Sequence, residues 1–577
     1  MRSDDTDAAT ESPVADAARR DDIDAVRTLI ADGADVNAPH GDGMTGLHWA
    51  ALNGNREIAQ LLIDAGAALA AATRLGAHTP LHVAAKVGHG EVVAILAEAG
   101  ADPAAVTETG ATPLHFAAAS GDARSVTVLL GHGAAMDARE PQWGQTPLMF
   151  AAALGRTEAV TALLEAGADG TATAHVMDLV ERDIVDRASQ RRRSVEIAAL
   201  REGREPPPDP PPPAHPPPDP HTPDTSRAAQ ARDAAREALE TQLRTGEPIP
   251  LNYAGLVGRH GGLSAIHLAA REGHAATVAA LLDGSVPIDL PSAADNTTPM
   301  LVAAINGHFD LVAELLARGA DPNAASDAGA TPLYAVLNVH WAPKARHPQP
   351  LEHEQQATGY LELMQALLDA DAEVNARLRH TLWFTTYNRD LLGVDRAGAT
   401  PFWRAVHATD VPAMKLLLEY GADPDLPTIK VSERRGGNGD TPDPSGLPPV
   451  SIGGPAVHPI HAAAGVGYGQ GFAGNSHRHA PEGWMPTMRF LVEELGADVN
   501  ARDLNGYTPV HHAAARGDNE MILYLVEKGA DVTAVARNGR TTADMANGPV
   551  QRIQPFPETV ALLERLGAKN NHRCVSC

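Results

Sequence analysis

Four side chains in this 577-residue sequence have types and spacings that suit chemistry: Cys574, Cys577, His477 and His479. Two cysteines separated by two residues can chelate zinc, form a redox or disulfide pair, or stand as free thiols on a solvated tail. The two histidines lie in GQGFAGNSHRHAPEGW, Gly469–Trp484. In an extended segment alternate residues point the same way, so both imidazoles could face one metal ion. These four residues are the candidate metal ligands. His458, His461, His511 and His512 are further imidazoles that could lie near them.

Other catalytic signatures are absent. The sequence has no Gly-x-Ser-x-Gly, no Walker loop and no His-Glu-x-x-His. Glycine clusters such as Gly465-Val466-Gly467-Tyr468-Gly469 do not follow a plausible parallel strand, which argues against a nucleotide loop. No enzyme activity and no cofactor are implied. A formal net charge of −26 opposes nonspecific nucleic-acid or anionic-membrane binding, which needs excess Lys and Arg. No apolar run approaches the length of a membrane span. Met1–Pro13 is polar and acidic, so the chain as given reads as cytoplasmic, with export open if a leader has been removed.

The elements that must position any site are repeats. Gly110–Ala138, GATPLHFAAASGDARSVTVLLGHGAAMDA, serves as the pattern. Thr112-Pro113 predicts a helix start, with Thr as N-cap and Pro at the first helical position. Leu114–Ala119 makes a short helix, and Gly121 is suited to end it. Val126, Leu129 and Leu130 then mark a second amphipathic helix, closed near Gly133. The unit is helix, tight turn, helix and long loop over about 33 residues.

The pattern resembles the ankyrin repeat. Its first motif recurs as Thr79-Pro80-Leu81-His82, Thr112-Pro113-Leu114-His115, Thr146-Pro147-Leu148, Thr331-Pro332-Leu333, Thr400-Pro401-Phe402 and Thr508-Pro509-Val510-His511. Its second recurs as Gly33-Ala34-Asp35-Val36-Asn37, Gly319-Ala320-Asp321-Pro322-Asn323 and Gly496-Ala497-Asp498-Val499-Asn500. The resemblance implies an elongated all-α solenoid with β-hairpin-like loops. About twelve repeats are expected, in two arrays. It also implies that the motif histidines tie adjacent repeats together, which lowers His461 and His511 as metal ligands.

The expected layout is a disordered N-terminus 1–13, an array 14–175, a helix–polyproline–helix insertion 176–250, an array 251–568 with long insertions, and a tail 569–577. Pro206–Pro208 and Pro210–Pro213 would form a semi-rigid polyproline spacer, or a ligand for a proline-binding module. Of the 22 aromatic residues, 13 lie between 330 and 490. They suit either a partner surface, since aromatics concentrate at interface hot spots, or a local core under the insertions.

By the resemblance, partners bind at the loop tips and the concave helix face. The candidate partner-binding residues are Trp143, Gln145, Arg271, Glu272, Asn306, Trp383, Phe384, Trp403, Arg404, Trp484, Tyr507 and Arg516. The expected function is a protein-interaction scaffold, monomeric and with partners unidentified. The alternative is a small-ligand, metal or thiol-redox protein that uses the His-rich loop and Cys574/Cys577.

Overall fold

The computed structural model describes residues 12–203, 253–342, 351–382, 394–431, 443–468, 478–550 and 553–577. These residues form paired helices with almost no strand. Trp383, Phe384, His477 and the polyproline run lie outside them.

Each pair is built by the same local chemistry. Thr79 is extended, its hydroxyl accepts from the His82 amide, and Pro80 opens the helix Pro80–Val87. Gly88, at φ +83°, ends that helix in the left-handed conformation, and Gly121, at φ +88°, ends Pro113–Ser120 in the same way. Asp122 then caps the second helix, Ala123–Gly131, which buries Val126 and Leu129. Leu130 is only half-buried.

The motif histidine joins one repeat to the next. Its Nδ1 accepts the N-cap amide of its own helix, at 3.2 Å for Thr79–His82 and Thr112–His115. That fixes the tautomer with the proton on Nε2. Nε2–H then donates to a carbonyl further along: His48 to His78, His115 to Gln145 and His267 to Thr297, at 3.0–3.1 Å. All three acceptors sit just before the next N-cap. His82 and His461 make the same kind of bond to Ala105 and Ala501.

The asparagine of the Gly-Ala-Asp-x-Asn motif ties successive loops. Asn37 accepts from the Ala68 amide at 2.7 Å, Asn323 from Glu373 at 2.7 Å and Asn500 from Asp531 at 2.8 Å. Each of these bonds is worth about 0.5–1.5 kcal/mol net, and the recurrence makes the array rigid.

The chain divides into two compact units: residues up to 176 with 261–320, and 177–260 with 321–577. The array expected to end near 175 therefore does not end there. In the first unit Pro147–Ala153 packs directly on Ala265–Arg271, and Thr157–Glu165 on Ala275–Asp283. The Thr157 and Thr277 hydroxyls are 2.9 Å apart. His175 O accepts from the Gly262 amide at 3.1 Å, so the chain leaves and re-enters the stack at neighbouring points.

The second unit is less regular. Leu179–Arg201 is a single long helix packed on Tyr253–Val257. Pro332–His340 pairs with Tyr360–Asp369, Pro401–His407 with Val411–Glu419, Pro509–Ala515 with Asn519–Glu527, and Thr542–Ala546 with Pro557–Arg565. Pro459–Ala463 is only five residues long and packs on Trp484–Arg489, which continues as a π turn, Phe490–Glu494.

Candidate functional site

Two surfaces were expected, the loop tips with the concave helix face and the aromatic-rich insertions. The structure treats them differently.

In the first unit the loop tips carry exposed apolar side chains. Trp143 is 51% exposed and Leu75 83% exposed, each standing immediately before a loop glycine. The Trp143 tip is held from beneath. Glu140, only 5% exposed, accepts the amides of Gln142, Trp143 and Gln145 at 2.7–2.9 Å. Gln145 is half-buried, and its carbonyl receives the His115 bond.

A stripe that the sequence reading missed lies at the foot of these loops. Trp49, Val83, Phe116 and Phe150 occupy one position, the residue after the motif histidine or its replacement. Three of the four are aromatic, and those three are half-buried. Their rings lean edge-on against imidazoles: Trp49 on His40 at 5.8 Å, Phe116 on His78 at 5.4 Å and Phe150 on His115 at 5.1 Å. The signal was available in the recurrence of aromatics at one repeat position. Counting aromatics by region pointed elsewhere.

Burial holds His78, His82 and His115 neutral. It lowers His78 and His115 from their ordinary value and brings His82 down to about 4. Arg271, Glu272 and Asn306 are exposed at the ends of their helices. Arg271 and Glu272 pair with each other at 2.8 Å, and Asn306 donates to Val302 O at 2.8 Å.

In the second unit three candidates prove to be interior residues. Trp403 is 0% exposed. It stands where other repeats carry the histidine, and its Nε1–H donates to Val457 O at 3.0 Å, the carbonyl just before the next N-cap. The indole does the histidine's work across a long loop. Arg404 is buried and donates to Asn338 Oδ1 and Trp341 O, both at 2.8 Å. Tyr507 is buried, with its hydroxyl accepting from Asn538 Nδ2 at 2.8 Å. Burial removes these three from any partner surface of this conformation.

Trp341, Tyr360, Tyr468 and Trp484 make further internal contacts in the second unit. Asp410 accepts from Trp341 Nε1 at 2.7 Å and from the Tyr360 hydroxyl at 2.9 Å. Burial and that carboxylate raise the Tyr360 phenol well above its ordinary value. Trp403 stacks on His407 at 5.0 Å, His407 meets Tyr468 at 5.9 Å, and Tyr468 meets Trp484 edge-on at 4.9 Å. Trp484 is half-buried, and the Arg516 guanidinium lies 3.8 Å over its ring while pairing with Asp518 at 2.6 Å.

Among the described residues the candidate ligands His479, Cys574 and Cys577 are not brought together. His479 Nδ1 lies 3.0 Å from Ala480 O, and the ring packs on Tyr468 and Trp484. Cys574 and Cys577 are joined in a disulfide, so neither sulfur is free to ligate a metal. Among the described residues no group of three or more His, Cys, Asp or Glu side chains is placed to hold a metal ion, and no helix is long and apolar enough to cross a membrane.

Comparison with known proteins agrees with this architecture. A family model described as ankyrin repeats (3 copies) matches residues 14–107, 100–174 and 227–326. Two further ankyrin models, of many copies and of a single repeat, match 476–525 and 397–429. The chain belongs to the ankyrin-repeat family.

It is 40% identical over 67 residues to ankyrin repeat and SAM domain-containing protein 6 of Rattus norvegicus, covering 11% of this chain and 8% of that protein. It is 32% identical over 95 residues to protein phosphatase 1 regulatory subunit 12A of Rattus norvegicus, covering 16% and 8%. Over 255 residues it is 24% identical to alpha-latrocrustotoxin-Lt1a of Latrodectus tredecimguttatus, covering 44% and 13%. The chain thus spans only a small part of each of these relatives.

Proposed function

We propose that this chain is a non-catalytic scaffold that binds a protein partner, and that the first unit supplies the recognition surface. The observation that carries this reading is the Trp143 tip. A buried carboxylate is committed to three backbone amides, and the result is a rigid loop presenting an indole to solvent. Preorganised aromatic side chains bind with little ordering cost and dominate interface energies. Leu75 on another tip and the stripe of Trp49, Phe116 and Phe150 extend the apolar surface along successive repeats. Arg271, Glu272 and Asn306 would contribute its polar margin. Protein binding is the general role of ankyrin repeats, and one relative is by its name a regulatory subunit.

The test is capture of partners from source-cell lysate by the wild-type chain and by Trp143→Ala and Phe116→Ala/Phe150→Ala variants, with helical content checked by circular dichroism. The expected result is loss of the same specific partner from both variants. Retention of every partner by folded variants would overturn the placement of the surface.

A further inference from the structure

The only two cysteines of the sequence are joined to each other, on a segment that is docked rather than loose. The Thr541 hydroxyl donates to Lys569 O at 2.6 Å. Asp544 accepts from the Asn571 amide at 3.0 Å and from the Asn571 side chain at 2.8 Å. The Val575 amide donates to Gly548 O at 2.9 Å. Asp544 occupies the motif-histidine position and accepts its own N-cap amide, from Thr541, at 3.1 Å. It therefore holds Asn571 much as a histidine holds the following loop. The fold itself fixes where the sulfurs stand.

As a staple the bridge does little. It closes a loop with two intervening residues, which removes little chain entropy, and it joins neighbours in one turn, not two repeats. What it does is present a sulfur–sulfur bond asymmetrically. Cys577 is exposed, whereas Cys574 is half-buried beside Gly548. The Cys577 amide N–H points at Cys574 Sγ from 2.9 Å, a donor placed to stabilise a thiolate there.

We propose that Cys574–Cys577 is a reversible thiol–disulfide exchange site that accepts two electrons from a dithiol, with Cys577 as the attacked sulfur and Cys574 as the leaving sulfur. A thiolate of the dithiol attacks Cys577 Sγ. The Cys574–Cys577 bond breaks, and its electron pair leaves on Cys574 as a thiolate, which takes a proton from water. The second thiol of the reductant, having lost its proton to water, attacks its own sulfur in the mixed disulfide. That step expels the Cys577 thiolate, which is then protonated. The reductant ends as a disulfide and the chain as two thiols. Access favours attack at Cys577, and leaving-group stability favours departure of Cys574. This inference is independent of the binding surface above.

The test uses the full chain in mixtures of reduced and oxidised dithiothreitol or glutathione, quenched with acid, alkylated and read by mass spectrometry. Both sulfurs should convert together and reversibly. When the bridged chain is treated with reduced glutathione and quenched early, the mixed disulfide should sit on Cys577 at least ten times as often as on Cys574. A Cβ at Gly548 would clash with Ser576 Oγ and stand 3.1 Å from Cys574 Sγ. Gly548→Ala should therefore displace the turn and shrink that ratio. A pair that stays bridged in excess reductant, or stays reduced in excess oxidised glutathione, would overturn the proposal. So would an even split of the mixed disulfide between the two sulfurs, or one zinc per reduced chain that blocks reoxidation.

Discussion

The two units use the same repeat and spend their aromatic residues in opposite ways. In the first, Trp49, Phe116, Phe150 and Trp143 are left half-buried or exposed on a regular frame closed by histidine ties. In the second, Trp341, Tyr360, Trp403 and Tyr468 are drawn into hydrogen bonds and ring contacts that anchor insertions. Aromatic density therefore marks repair of an interrupted array as readily as it marks a binding surface. The ring's own hydrogen bond does not by itself separate the two roles, since Trp49 Nε1 in the first unit also donates inward, to His40 Nδ1 at 3.0 Å. Trp341 and Trp403 both donate inward, whereas Trp143 is fixed only through its backbone.

The largest test of that contrast is Trp403→Ala. It empties a fully buried site and removes the tie to Val457, and should cost about 3–5 kcal/mol in urea unfolding. Trp403→His restores the motif residue but leaves a hole, so its loss should be smaller. Equal losses would mean that volume alone matters.

Asp410→Ala comes next. It strands the Trp341 and Tyr360 donors, and hydrogen bonds to a charged acceptor are worth about 1.5–3 kcal/mol. Thermal unfolding should show the loss, with the binding of first-unit partners unchanged.

The buried motif histidines predict an acid dependence in both units. Burial lowers His82, His267 and His461 to about 4 and His511 to about 3, from an ordinary 6.5. Below pH 6.5 the unfolded chain takes up protons that the folded chain refuses. Stability is thus complete above pH 6.5 and is lost as pH falls towards 4. A flat stability profile across that window would refute the neutral-tie assignment.

Trp143→Ala should have the smallest effect on stability, within about 0.5 kcal/mol, yet lower partner affinity at least tenfold as measured by calorimetry. If stability fell instead, the indole would belong with the anchors of the second unit.

Much of the architecture was legible because the local code repeats. Thr-Pro starts, glycine stops and the Gly-Ala-Asp-x-Asn loop each have a physical reason that survives in isolation. The site was less legible. Trp403 and Tyr507 lie in or beside regular motifs, and only the packed structure shows their rings turned inward to Val457 and Asn538. Glu140 gave no sequence signal, since its function is to gather three amides of its own loop. The stripe through Trp49 and Phe150 was visible in principle, once residues are compared by repeat position and not by region.

The packing of Pro147–Ala153 on Ala265–Arg271 has an engineering consequence. The repeats on either side meet as though the intervening chain were not there, so its length is decoupled from the pitch of the stack. Where the chain leaves and re-enters the first unit its ends are closely spaced, so a change in the length between them adds a loop-closure cost that grows only logarithmically.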